Sequence, residues 1–62
     1  MDKYMVAICD EEGYAIYQKS CNRFAEGAIL YNELSGGIFY RKVQIVFTDD
    51  DGKIIKHEIR GF

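Results

Sequence analysis

An acidic turn separates two apolar segments in residues 43–60, which read VQIVFTDDDGKIIKHEIR. An acidic run that ends in glycine favours a hairpin with a three-residue loop, in which a type I turn is followed by a left-handed residue. Glycine adopts that backbone conformation without steric cost. The loop length then brings the apolar side chains of both strands to one face of the hairpin. The predicted pairs are Phe47 with Ile55, Ile45 with His57, and Val43 with Ile59. The predicted strands cover residues 38–48 and 53–60.

A second acidic turn, Asp10-Glu11-Glu12-Gly13, predicts another hairpin near the amino terminus. Its strands are predicted over residues 4–9 and 14–19. The same loop length pairs Ile8 with Ile16 and Val6 with Gln18 on one face, and Ala7 with Tyr17 and Cys9 with Ala15 on the other. Because the side chains outside the two turns match poorly, we interpret the similarity of the hairpins as shared turn chemistry.

Residues 21–34, between the hairpins, have the apolar spacing of a helix. Phe24, Ala28 and Tyr31 recur at helical intervals, so they form one apolar stripe. The Gly36-Gly37 pair that follows is typical of a helix end. An extended segment would scatter the same three apolar side chains over both faces, so a helix is favoured.

The predicted order is therefore β-β-α-β-β, in a single small domain over residues 1–62. It defines an α+β fold: a four-stranded antiparallel sheet, built as hairpin, helix and hairpin, with the helix packed on one face. The favoured strand order is 2-1-3-4. The alternative is the order 1-2-3-4, with a parallel pair of strands 2 and 3 and a right-handed crossover.

Composition excludes several classes of protein. Aromatic residues make up 15% of the chain and the net charge is only −2, which is unlike a disordered sequence. No uncharged run is long enough to span a bilayer, and the amino terminus lacks the pattern of a secretory signal. We therefore expect a cytoplasmic protein without a membrane segment, with Cys9 and Cys21 as reduced thiols.

The residues that could carry chemistry do not assemble into a catalytic or metal-binding motif. His57 is predicted on the apolar face, without an orienting carboxylate. Cys9 and Cys21 form no CxxC motif, and two cysteines with one histidine fall short of the four ligands of a zinc site. The Asp49–Asp51 triplet is explained by turn chemistry. We therefore expect no enzyme activity, no cofactor and no bound metal.

The sheet face away from the helix is the predicted binding surface. One helix cannot cover both faces of a four-stranded sheet, so this face would leave apolar and tyrosine side chains in water. Tyrosine and methionine are side chains that protein interfaces favour. The predicted partner-binding residues are Met5, Tyr17, Tyr40, Val46 and Ile54.

Two classes of function follow from these features. The first is a noncatalytic protein–protein interaction module that forms a homodimer or docks onto a larger protein, acting as a small adaptor or inhibitor. In size, acidity and hairpin–helix design it resembles small phage- or mobile-element-encoded docking proteins, although no diagnostic residue carries this likeness. The alternative is a small nucleic-acid-associated protein whose sheet face presents Tyr40, Lys42, Lys56 and Arg60. An isoelectric point near 5.2 argues against nucleic acid.

Overall fold

The computed structural model describes residues 3–37 and 42–61 and contains four strands and one helix. The elements are β1 (Tyr4–Asp10), β2 (Ala15–Cys21), α1 (Phe24–Gly37), β3 (Val43–Asp49) and β4 (Ile54–Arg60). The strands form one sheet in the order β2-β1-β3-β4, and every neighbouring pair is antiparallel. The predicted α+β fold and the favoured strand order are thus confirmed, and the alternative with a parallel pair is wrong.

Both predicted three-residue loops are present. In the first turn the Gly13 amide donates to the Asp10 carbonyl oxygen at 3.1 Å, and in the second Gly52 donates to Asp49 at the same distance. Gly13 and Gly52 have φ angles of 94° and 81°, the left-handed conformation that the turn requires. In both turns the aspartate side chain also accepts two backbone N–H groups at 2.9–3.0 Å. Local hydrogen bonding therefore explains why each turn begins with aspartate.

In both hairpins the pairing of the strands departs from the prediction after the first pair of residues next to the turn. A β-bulge leaves Ile16 of β2 and Ile55 of β4 without a partner on the neighbouring strand. Two residues then oppose one, and every later residue of the bulged strand changes face. Cys9 still pairs with Ala15, as predicted, but Ile8 pairs with Tyr17 and Ile45 pairs with Glu58.

The bulges overturn several predicted positions in the sheet. Tyr17 lies on the helix side, across from Ile8, and not on the opposite face. His57 pairs with Val46 and lies away from the helix, whereas Lys56 and Arg60 lie on the helix side. The hydrophobic alternation of β4 is therefore inverted relative to the prediction.

The helix begins and ends three residues later than predicted. Cys21 remains in β2, paired with Tyr4, so the helix starts only at Phe24. At the other end it includes Gly36 and Gly37, which the sequence suggested as the stop.

The core lies between α1 and the two central strands. Val6, Ile45 and Phe47 are fully buried, and Tyr31 of the helix packs against them. Gly27 brings the helix backbone close to the Phe47 ring. The centroid of that ring lies 5.3–6.4 Å from the ring centroids of Tyr4, Phe24 and Tyr31. This aromatic cluster defines the helix face of the sheet and leaves the opposite face uncovered by α1.

Polar contacts join the second half of α1 to the edge strand β4. The Ser35 hydroxyl donates to Glu58 Oε1 at 3.0 Å, and Glu58 also accepts from the Arg60 guanidinium. Lys56 Nζ lies 5.6 Å from the centroid of the Tyr31 ring, within the range of a cation–π contact. Hydrogen bonds from Arg60 and Ser35 hold the pKa of Glu58 below its usual value, whereas burial and the nearby Glu58 carboxylate raise the pKa of Tyr31. The charged side chains of β4 are thus engaged on the helix side.

Candidate binding face

The candidate site is the sheet face opposite α1, here called the distal face. Alternation along each strand and pairing between strands place three residues of every strand on it. They form three rows across the order β2-β1-β3-β4. The rows are Ala15, Cys9, Gln44 and Ile59; Gln18, Ala7, Val46 and His57; and Ser20, Met5, Thr48 and Ile54.

None of these twelve strand residues is an aspartate, glutamate, lysine or arginine. The chain as a whole is 29% charged, so the absence is a property of this face. The charged strand residues lie instead on the helix side, as Lys19, Lys56, Glu58 and Arg60 do. A sheet face that combines apolar side chains with uncharged polar ones is suited to burial against another surface.

The two halves of the distal face differ in the side chains that they carry. Its β3–β4 half carries the branched or bulky side chains of Val46, Ile54, His57 and Ile59, and Ile54 and Ile59 are 55% and 58% exposed. Its β1–β2 half consists mainly of short side chains, and Ala7 in the middle row is only 5% exposed. The branched apolar side chains are therefore concentrated in the β3–β4 half, while Met5 and Gln18 are the long side chains of the other half.

His57 is held on this face by a neighbouring amide. Its Nε2–H donates to Gln44 Oε1 at 2.9 Å, and Gln44 Nε2 donates to the Asp10 carbonyl oxygen at 3.5 Å. The orienting group of the imidazole is thus a neutral amide and not a carboxylate. Depressions of about 410, 370 and 260 Å³ on the surface are lined by residues other than His57 and Cys9, and the lining of the 370 Å³ depression includes Met5, Ser20 and Thr48 of the distal face.

Three of the five predicted binding residues lie on the distal face: Met5, Val46 and Ile54. Tyr17 does not, because the bulge at Ile16 turns it to the helix side, where it is 43% exposed. Tyr40 lies outside the described residues. The prediction also missed Ile59 and His57, which the bulge at Ile55 brings onto the face. Ile16 and Ile55 each follow the turn glycine by three residues, but neither position carries a residue type that signals a bulge.

Other groups that drew attention in the sequence are separated or engaged in the turns. Cys9 is half-buried on the distal face and Cys21 is buried on the helix face; both are free thiols. The carboxylates of Asp49, Asp50 and Asp51 lie within 4.8 Å of one another, and Asp49 Oδ1 already accepts the amides of Asp51 and Lys53. This bonding agrees with a turn role for the acidic triplet.

Comparison of the chain with protein-family models, with curated proteins and with solved structures finds no match. Across the described residues, α1 included, no helix has the length and apolar character needed to cross a membrane.

Proposed function

We propose that the protein is a noncatalytic protein–protein interaction module that self-associates through the distal face and acts as a small adaptor or inhibitor. The observation that carries the proposal is the absence of aspartate, glutamate, lysine and arginine from the twelve strand residues of the distal face. Two copies of such a face meet without burying an unpaired ion, which would cost several kcal/mol per ion.

The edges of the sheet favour docking through a face over docking through an edge. β2 and β4 are the edge strands, and each is interrupted by a bulge. Lys19 lies on one edge strand, and Lys56 and Arg60 on the other. Bulges and charged side chains are the devices that discourage edge-to-edge strand pairing.

The size of the face sets the expected strength of association. Four strands about 4.8 Å apart and three rows about 6.8 Å apart cover about 400 Å² in projection, and more in accessible area because the side chains stand up from the sheet. The projected area is about half of the roughly 800 Å² per partner that standard interfaces bury, so we expect weak association, with dissociation constants in the micromolar range or above. A weak homodimer of this kind leaves the face available for exchange with a larger protein.

The positions of the cysteines support a reducing compartment for this function. Cys9 and Cys21 lie on opposite faces of the sheet, so they do not bridge within one chain. We propose a cytoplasmic location on this basis.

The nucleic-acid alternative receives less support from the geometry. Lys56 and Arg60 lie on the helix side of β4, and Lys42 precedes β3 with its Nζ 4.0 Å from Glu11 Oε2. The basic side chains of the predicted patch are therefore not gathered on the distal face. Binding to single- and double-stranded oligonucleotides at about 50 and 200 mM salt tests this alternative, and micromolar affinity that falls steeply with salt would favour it.

A matched pair of variants tests the docking face. Ile59 of the distal face and Ile29 of α1 are 58% and 59% exposed, so glutamate at either position should leave the fold intact. Ile59→Glu places a charge in the proposed interface and should abolish association in sedimentation equilibrium at micromolar concentration, whereas Ile29→Glu should associate like the parent. Circular dichroism melts of both variants control for folding.

Two outcomes would contradict the proposal. If Ile29→Glu lost association and Ile59→Glu did not, the result would indicate that the interface lies at the exposed apolar side chains of α1. A parent chain that stays monomeric and binds no protein in a lysate would remove the basis for an interaction module.

A further inference from the structure

We infer that the groove between α1 and β2, on the helix side of the sheet, binds an amphipathic helix of a partner protein whose apolar stripe is flanked by lysine or arginine. The groove and the distal face lie on opposite sides of the sheet. The inference therefore adds a second binding site to the proposed function. It follows from the width of the sheet, from the side chains that line the groove and from their charges.

One helix is too narrow to cover the helix side of this sheet. Four strands about 4.8 Å apart span about 14 Å between the two edge strands, whereas a helix with its side chains is about 10 Å across. α1 packs on the central strands β1 and β3, and its contacts also reach the side chains of Lys56 and Glu58 on β4. In β2, by contrast, residues 15–20 are all exposed. Within the described ranges, the uncovered strip of the helix side therefore runs along β2.

A depression of about 260 Å³ lies along this strip and is here called the side groove. β2 lines it with Lys19, Ser20 and Cys21, and α1 lines it with Glu26, Ile29, Leu30 and Glu33. Ile29 is 59% exposed, and Tyr17, on the same side of β2 as Lys19, is 43% exposed. β2 lies about 7 Å from the middle of the sheet, so a second helix at the usual distance of about 8–10 Å from α1 would lie over β2.

The charges of the side groove favour a basic partner. Glu26 and Glu33 are two helical turns apart, about 10.5 Å along α1, with Ile29 and Leu30 between them. Neither glutamate forms a salt bridge with another described residue. The last turn of α1 contains no basic residue, so the partial negative charge of the helix end adds to that of Glu33. Lys19 is the single basic residue in the described lining.

The complementary partner is a helix with basic residues at positions i and i+7 and apolar residues at i+3 and i+4. Its apolar pair would pack on Ile29 and Leu30, and each cation would lie beside one glutamate. A second copy of α1 does not meet this requirement, because α1 carries two glutamates and no lysine or arginine. An extended segment would have to pair with the edge of β2, which the bulge opposes. The occupant is therefore a helix of a different protein.

Model peptides test this chemistry. The probe is a fluorescein-labelled peptide of about 18 residues, long enough to form a helix, in which leucine and lysine follow the spacing above on an alanine background. The control peptide has glutamate in place of every lysine. Fluorescence anisotropy at about 50 mM salt should show micromolar binding of the lysine peptide and binding at least about tenfold weaker for the glutamate peptide. At about 200 mM salt the lysine peptide should bind severalfold more weakly, because exposed ion pairs are screened.

A pair of charge reversals locates the binding. Glu26→Lys/Glu33→Lys should weaken the lysine peptide about tenfold or more and strengthen the glutamate peptide. Asp50→Lys/Asp51→Lys makes the same change in net charge at exposed positions of the second turn, away from the groove. This control should bind both peptides within about twofold of the parent.

A pair of alanine variants separates the side groove from the distal face. Ile29→Ala should weaken the lysine peptide about tenfold through the loss of buried apolar area, and alanine keeps the helix stable. Ile59→Ala removes an equally exposed side chain from the distal face and should bind the peptide like the parent. In sedimentation equilibrium the pattern should be reversed, with weaker self-association in Ile59→Ala alone. Circular dichroism confirms that each variant is folded.

A measurement on the unmodified chain covers the case in which a charge reversal does not fold. In a titration with the lysine peptide, the amide signals of Lys19, Ile29 and Leu30 should shift more than those of the distal face or of the acidic turns. The largest shifts at either of those other places would overturn the inference.

The remaining outcomes distinguish this inference from the proposed function. Equal binding of the two peptides, or of neither, would overturn the side groove. So would an equal loss of the lysine peptide in both charge-reversal variants, since net charge alone would then explain the attraction. None of these results bears on self-association through the distal face. A parent chain that binds the lysine peptide but stays monomeric would contradict self-association and leave the side groove in place.

Discussion

Gly27→Ala should destabilise the protein, although alanine is the better helix former. Gly27 is buried in α1, directly over the ring of Phe47. A β-carbon built on Gly27 would lie 2.6 Å from Phe47 Cε1 and 2.7 Å from Cζ. Non-bonded carbon atoms do not approach each other this closely, so either the Phe47 ring or the helix must move.

The expected magnitude follows from two opposing effects. Alanine gains about 1 kcal/mol of helix propensity over glycine. Overpacking a filled core costs about 1–3 kcal/mol, and Phe47 cannot yield freely because it is fully buried and contacts the rings of Tyr4, Phe24 and Tyr31. Each aromatic contact that a shift disturbs is worth about 0.5–1.5 kcal/mol. We expect a net loss of about 1–2 kcal/mol in the free energy of unfolding.

The assay compares Gly27→Ala with Gly36→Ala. Gly36 lies in the same helix, and a β-carbon there would meet nothing within 4 Å. Urea unfolding should show Gly36→Ala equal to the parent or stabilised by up to about 1 kcal/mol. Thermal melts should place Gly27→Ala roughly 5–15 °C below the parent, because 1 kcal/mol shifts the midpoint of a domain of this size by about 4–8 °C.

Equal stability of Gly27→Ala and Gly36→Ala would refute the reasoning, since the helix would then not rest on Phe47. Phe47→Leu supplies the complementary check. Alone it should destabilise by leaving a cavity, but in the Gly27→Ala background its cost should shrink, because the shorter side chain relieves the overlap. Additive effects of the two substitutions would place them out of contact.

Three further predictions concern the second turn, β4 and the thiols. Gly52→Ala should cost about 1 kcal/mol in urea unfolding, because φ is 81° there while open space surrounds the added methyl group; an unchanged midpoint would contradict the left-handed turn. The hydrogen bond from Arg60 holds the pKa of Glu58 below the ordinary 4.5, so the contribution of Glu58 to stability is lost as the pH falls below about 4.5. Glu58→Gln should make the stability less dependent on pH in urea titrations between about pH 3 and 6, and an unaltered pH dependence would show that the contact is not made in solution. Cys9 should react with a thiol reagent far faster than buried Cys21, and its rate should fall as protein concentration rises through the dimer range; a rate independent of concentration would argue against burial of the distal face.

The turns show how much of the fold was predictable from local chemistry. Asp10 and Gly13, like Asp49 and Gly52, specify their loops through hydrogen bonds within five residues and through a φ angle that glycine adopts without strain. Once both loops and the intervening helix are known, the directions of the strands leave few topologies, and the strand order follows from short, uncrossed connections. The uncovered sheet face was predictable for the same reason, because one helix covers one face.

The membership of that face was decided by tertiary structure. By alternation alone, Tyr17 belongs to the distal face and His57 to the core. In the folded chain, Ile55 of β4 packs against the core cluster, and Cys21 stays on the helix face opposite Tyr4. Each of these placements depends on α1 and on the neighbouring strand, elements distant in sequence.

The amino-acid sequence by itself determined the turns, the order of the strands and the existence of a face without a helix, because short-range hydrogen bonds and backbone conformation decide them. Only the tertiary structure decided the bulges at Ile16 and Ile55, and with them the absence of acidic residues, lysine and arginine from the strands of the distal face. A one-residue bulge costs little locally, but it reverses the face of every residue beyond it. Its presence therefore depends on the sum of packing contacts across the sheet and helix, which no local pattern records.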